Sequence, residues 1–167
     1  MNTAAVITVS DSASRGERED LSGPAVTEIL KQHGFETSHQ EIVPDDRPAI
    51  ESALIRLAGC VRLVVTTGGT GIAPRDVTPE ATRAVCTRLL DGIPEKMRLD
   101  GLSKTPYAIL SRAVCGIRGQ SLILNLPGSP KGAVESLQSV VNLLPHILVL
   151  LEGHTEHKVD CSNLPAL

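Results

Sequence analysis

The stretch Leu63-Val-Val-Thr-Thr-Gly-Gly-Thr-Gly-Ile-Ala-Pro-Arg-Asp-Val-Thr-Pro-Glu80 limits the possible folds of this chain more than any other segment. Leu63 to Thr66 is a β-branched apolar run of the kind that forms a strand buried on both faces, and Gly68 stops it. A helix is expected next. Pro79 suits a first helical turn, Thr78 is a candidate N-cap, and Glu80 places a carboxylate near the positive end of the helix dipole. The turn between strand and helix is dense in backbone N–H groups, hydroxyls and charge, so it could hold a phosphate.

Neither familiar phosphate loop fits. No Gly-Lys-Ser/Thr follows the glycines, and Pro74 stands where the dinucleotide pattern requires its third glycine, although Gly69 and Gly71 are in register. Asp76 adds a constraint, because a carboxylate beside a phosphate-binding turn needs a cation between them or a proton to move. Magnesium is the usual cation.

Composition narrows the surroundings. The apolar fraction is 41% and almost wholly aliphatic, with one Phe, one Tyr and no Trp. Such residues suit a buried parallel sheet covered by helices. The shortage of aromatics and a net charge of -3 argue against a nucleic-acid module. Cys60, Cys86, Cys115 and Cys161 are scattered without a C-x-x-C pair, as in reduced thiols of a cytoplasmic protein. No signal peptide is visible at Met1 to Ile7. Val140 to Leu151 is shorter than the roughly 20 residues of a membrane span.

In chain order, strands are expected at Ala4–Ser10, Phe35–Val43, Leu63–Thr66, Ala113–Ile117 and Ser121–Leu126, the second near a sheet edge and the last two as a hairpin. Helices are expected at Pro24–Gln32, Arg47–Ala58, Glu80–Leu89, Pro94–Leu102 and Lys131–Leu151, with a short helical turn at Ala108–Arg112. Residues 13–22 read as a long loop, and Pro145 should kink or break the last helix. One of Asp45 and Asp46 should cap the helix that follows, leaving the other free for chemistry. His33 and His39 read as surface or satisfied histidines, and His154 and His157 as part of a polar tail.

The expected fold is a Rossmann-like, three-layer α/β/α sandwich with a mostly parallel, mixed sheet, formed by residues 1–152 and followed by a tail at 153–167. If the first three strands and Ser121–Leu126 run parallel, four loops emerge at one sheet edge: Ser10-Asp11, Asp45-Asp46, Thr67 to Asp76 and Asn125 to Pro130. Two free carboxylates and a glycine-rich cradle suit phosphoryl or nucleotidyl transfer, where positioning and magnesium matter more than a covalent intermediate.

The segment Thr66 to Thr82 resembles the signature of the molybdenum cofactor biosynthesis Mog/MoaB family, which includes the gephyrin G domain. Ser10-Asp-Ser-Ala-Ser14, Asp20-Leu-Ser-Gly-Pro24, Pro44-Asp45, Ala108 to Arg112, Gly116-Ile-Arg118 and Asn125 to Lys131 resemble further family blocks in the family's order. The resemblance covers about residues 4 to 152. It implies a homotrimer that binds molybdopterin and, with ATP and magnesium, adenylylates it with release of pyrophosphate. By position, Asp45 and Asp76 match the catalytic, magnesium-linked aspartates, and Thr67, Gly68, Gly69, Thr70 and Gly71 the phosphate loop. The same resemblance puts Ser10, Asp11, Asp20 and Gly23 beside the nucleotide and Ser111, Arg112, Pro127, Gly128 and Ser129 toward the pterin. Its alternatives are a MoaB-type paralogue, which can be a hexamer, and a non-catalytic molybdopterin-binding or scaffolding module. No segment resembles the domain that inserts molybdate, so hand-over to a separate protein is expected.

Overall fold

The computed structural model describes residues 2–153. The expectations for His154, His157, Cys161 and the tail beyond Gly153 fall outside them. A six-stranded sheet runs in the order β2-β1-β3-β6-β5-β4. Its strands are β1 (Asn2–Val9), β2 (Phe35–Val43), β3 (Leu63–Thr67), β4 (Arg88–Leu89), β5 (Cys115–Arg118) and β6 (Ser121–Leu126). β2, β1, β3 and β6 are mutually parallel, β5 runs antiparallel to β6, and β4 runs antiparallel to β5, so β5 alone is reversed among the six.

Helices α1 (Asp11–Ser14), α2 (Ser22–Gln32), α3 (Arg47–Ala58), α4 (Thr78–Val85), α5 (Gly92–Leu102), α6 (Pro130–Val140) and α7 (Leu144–Leu151) complete the fold. Side chains alternate across each strand, so the sheet carries a separate core on each face. On one face Ala4, Val6, Leu63, Val65, Leu122 and Leu124 pack with α2, α5, α6 and α7. On the other, Ala5, Ile7, Val9, Val64 and Ile123 pack with α3 and α4. β3 is buried at all five positions, as its unbroken apolar run requires. The chain departs from β1 toward β2 on one side and reaches β3 on the other. Their carboxyl ends therefore flank a topological switch point, the usual ligand crevice of such sheets.

Three local expectations are corrected, and the break expected at Pro145 is located. The helix expected to reach Leu89 stops at Val85, and Arg88–Leu89 instead pairs with Gly116–Ile117, giving the edge of β5 a partner. Part of the loop expected at 13–22 belongs to a single helical turn, α1, whose Ala13 N–H donates to the Ser10 hydroxyl at 3.2 Å. The last helix breaks into α6, a 3-10 turn at Val141–Leu143, and α7. Pro145 lies in the first turn of α7, and the break begins four residues earlier because proline supplies no N–H to that carbonyl and its ring crowds it. Pro130–Leu151 is long and apolar enough by composition to cross a membrane, but Leu137, Val140, Leu144 and Leu148 are buried in the sheet-facing core. Finally, Thr78 does not cap α4: its buried hydroxyl donates to the Gly68 carbonyl at 2.9 Å.

Candidate active site

β3 delivers the glycine-rich turn directly over the switch point. Gly68 and Gly69 have φ of +97° and +63°, conformations that side chains rarely adopt. Space is equally tight. A Cβ on Gly68 would stand 2.2 Å from the Val9 carbonyl oxygen, and one on Gly69 would stand 2.3 Å from Thr78 Oγ1 and 3.2 Å from Asp45 Oδ1. The Gly68 N–H is already used, donating to Leu126 O at 3.1 Å. The N–H groups of Gly69, Thr70 and Gly71 donate to no described residue. Three adjacent amides without an acceptor among the described residues could serve as an anion cradle, whereas the Gly68 N–H is already committed.

Asp45 and Asp46 divide their labour as their position at the start of α3 dictates. Asp46 is the cap, accepting the Ala49 N–H at 3.0 Å. Asp45 and Asp11 exchange bonds: the Asp11 N–H donates to Asp45 Oδ2 at 2.8 Å, and the Asp45 N–H donates to Asp11 Oδ1 at 3.0 Å. Burial pushes the Asp45 carboxyl upward, the neighbouring charges of Asp11 and Asp76 add to this, and the Asp11 N–H and the Arg75 cation oppose it. Asp11 has its own cation, since Arg75 Nε donates to Oδ2 at 2.8 Å. Asp76 accepts the Ala73 N–H at 2.8 Å through Oδ2, while its Oδ1 accepts no bond from a described residue.

Two concave chambers meet at this point. The smaller, of about 350 Å³, is lined by Ser10, Asp20, Asp45, Thr67, Gly68 and Asp76 among others. The larger, of about 1090 Å³, is walled by α5, the 3-10 turn Pro106–Leu110 and α6. Gly69, Asp76, Gly128 and Ser129 line both chambers. Gly128 presses so closely on the turn that a Cβ there would stand 3.2 Å from Gly68 Cα. Thr70, Gly71, Ser111 and Pro127 belong to the larger chamber.

Three residues expected at the ligand are engaged by the scaffold and line neither chamber. Gly23 lines neither chamber; its Cα faces Asp20 and Thr8 so closely that a Cβ would stand 2.4 Å from Asp20 Oδ2. Asp11 also lines neither and is spent on Asp45 and Arg75. Arg112 lies outside the larger chamber because its guanidinium is taken by the glycine turn, donating to Gly71 O and Asp76 O, each at 2.6 Å. Asp20 lines the smaller chamber while its oxygens accept Thr8 Oγ1, Ser22 N and Gly23 N.

The floor of the site holds a polar network that strand-like sequence conceals. Buried Asn125 accepts the Val114 N–H at 3.1 Å and donates to Thr66 and Thr82 hydroxyls at 3.0 and 2.9 Å. Thr67 Oγ1 lies 2.8 Å from Ser22 Oγ. Thr8, Ser22 and Thr82 were given no role by the sequence: Thr8 is hidden in an apolar run, and Ser22 and Thr82 lie inside the recognised segments without a pattern that marks them as buried partners. His33 Nδ1 lies 2.9 Å from the Ile29 carbonyl, a partner within its own helix end. Among the described residues no cluster of three or more His, Cys, Asp or Glu could hold a metal ion. Asp45 and Asp76 are near enough for the charge of one to act on the other, and a hard cation held by these two would need its further oxygen ligands from elsewhere.

Comparisons with known proteins agree on one family. Residues 5–146 match the family model described as "probable molybdopterin binding domain". Molybdopterin adenylyltransferase from Helicobacter pylori J99 is 48% identical over 153 residues, spanning 89% of this chain and 87% of the relative. Molybdopterin adenylyltransferase from Escherichia coli K12 is 42% identical over 172 residues, spanning 92% and 88%. The crystal structure of the molybdopterin biosynthesis enzyme MoaB from Thermus thermophilus superposes with a TM-score of 0.87 at 52% identity, covering 92% of this chain and 98% of that one.

Proposed function

Since this chain belongs to the molybdopterin-binding domain family, we propose that it is a molybdopterin adenylyltransferase of molybdenum cofactor biosynthesis. It transfers AMP from ATP to the molybdopterin phosphate and releases pyrophosphate. The observation that carries this reading is the meeting of two chambers at Asp76 and Gly69, with acceptor-free amides and two carboxylates at the junction.

Both reactants are anions, so the first task is to bring them together. The Gly69, Thr70 and Gly71 amides would hold phosphate oxygens without a basic surface, which a chain of net charge -3 lacks. The nucleotide occupies the smaller chamber beside Ser10 and Asp20, and the pterin occupies the larger one beside Ser111, Pro127 and Ser129. Asp45 and Asp76 would hold magnesium together with the triphosphate. That ion, when bound, neutralises the charge on the transferring group. Burial makes Asp45 reluctant to stay charged alone, as expected of a group poised for a cation. The proposed setting is cytoplasmic and homotrimeric, with the product passed to a separate molybdate-inserting protein.

A MoaB-type paralogue is the second reading, favoured by the 52% identity to the Thermus structure. One experiment separates them. Purified protein is mixed with molybdopterin, magnesium and ATP, and pyrophosphate is followed. Pterin-dependent release is expected. Pterin binding without release would favour the paralogue or a non-catalytic binding module.

A further inference from the structure

We propose that Arg112 is a positioning residue for Asp76 and that it links the pterin chamber to the nucleotide chamber mechanically. Its backbone N–H donates to Thr70 O at 2.9 Å. Nε donates to Gly71 O and Nη2 to Asp76 O, each at 2.6 Å, while Nη1 pairs with the Glu80 carboxylate. One residue thus grips the glycine turn at its start, its middle and its end, and Glu80 in α4 anchors the grip.

The chemistry of the guanidinium suits this role. A planar fork presents several donors at fixed angles and stays charged at any working pH, so it can hold carbonyls that point in different directions at once. Charge-assisted bonds to carbonyls are stronger than neutral ones. The exposed Arg112–Glu80 pair adds little energy by itself, since their side chains are 38% and 41% exposed. Its value is geometric: it fixes the plane of the guanidinium and therefore the peptide of Asp76.

The adjoining residues give the link its direction. Ser111 lines the larger chamber, and Arg112 follows it in the chain. Arg98 of α5, which also lines that chamber, donates to Ser111 O at 3.3 Å. A ligand that settles against this wall therefore bears on the segment that holds Asp76. This inference rests on the adenylyl-transfer reading, and it assigns Arg112 to no direct contact with either substrate.

The test uses the full chain and the variants Arg112→Lys and Glu80→Gln, with molybdopterin binding measured separately from pyrophosphate release. Arg112→Lys keeps the charge and loses the fork. Its kcat should fall about ten- to a hundredfold, as expected for a small misplacement of a reacting group, with molybdopterin Kd changed by less than about twofold. The magnesium concentration for half-maximal rate should rise in parallel. Glu80→Gln keeps both carbonyl bonds and should show the same pattern in weaker form, which covers the case of a poorly folding Arg112→Lys. A raised molybdopterin Kd with unchanged kcat at saturation would overturn the proposal, because Arg112 would then be a pterin ligand. Unchanged kcat and magnesium dependence in both variants would overturn it too. Absence of release from the wild-type protein would instead indict the activity itself.

Discussion

Asp11 and Asp45 hold one another by their backbones, each accepting the other's N–H at 3.0 and 2.8 Å. This reciprocal pair ties the end of β1 to the end of β2 across 34 residues of chain. It also forces two carboxylates together in a partly buried site. The repulsion between them adds to burial in lifting the Asp45 carboxyl, which makes the site's cost to the fold measurable.

For Asp45 the sign follows from burial. Its carboxyl is raised in the folded state, so the fold binds that proton more tightly than the unfolded chain does. Stability associated with it is present at acid pH and is lost as pH rises through the folded value. Asp45→Asn should then abolish pyrophosphate release yet raise stability at pH 7 by at most about 1 kcal/mol, allowing for solvent screening. Urea midpoints across the pH range check this. The gain should vanish in acid, and a lower midpoint at neutral pH would contradict the electrostatic account.

Asp76→Asn should stop adenylyl transfer while keeping an oxygen for the Ala73 N–H. Stability should change by less than about 0.5 kcal/mol, and molybdopterin should still bind. Loss of folding in circular dichroism would show Asp76 to be a structural brace.

Gly68→Ala should be far more damaging than Gly16→Ala, though both sites have positive φ. Nothing lies within 4 Å of a Cβ on Gly16, whereas one on Gly68 meets Val9 O at 2.2 Å. The backbone penalty alone is about 1 kcal/mol at either site. At Gly68 the clash should bring the total to about 3 kcal/mol or more, read from urea midpoints. Equal losses would mean the turn can move aside.

Asn125→Leu keeps the approximate volume but strands the Val114 N–H and two threonine hydroxyls. A loss of about 1–3 kcal/mol is expected for such unsatisfied groups. A neutral effect would show that water reaches the network.

The sheet, most of its helices and the meeting of the four loops were legible because they rest on periodicity and on runs such as Leu63 to Thr66. The division between Asp45 and Asp46 was half legible. A cap was required, but which residue supplies it depends on the Asp11 exchange, made by a residue remote in sequence. β4 was illegible for a related reason: two exposed residues carry no pattern, and only the open edge of β5 calls them into the sheet. The partners of Arg112 were illegible because a motif gives a position and not the direction of a side chain. A guanidinium next to a substrate wall can equally face the scaffold behind it.

Gly128, which lines both chambers, lies close against the Gly68 backbone where they join. A methyl group at Gly128 would require the facing Gly68 backbone to give by a few tenths of an ångström. A side chain at this partition would therefore shift the glycine turn itself, whereas Leu99 and Tyr107 on the helical wall, 66% and 75% exposed, can change without moving it.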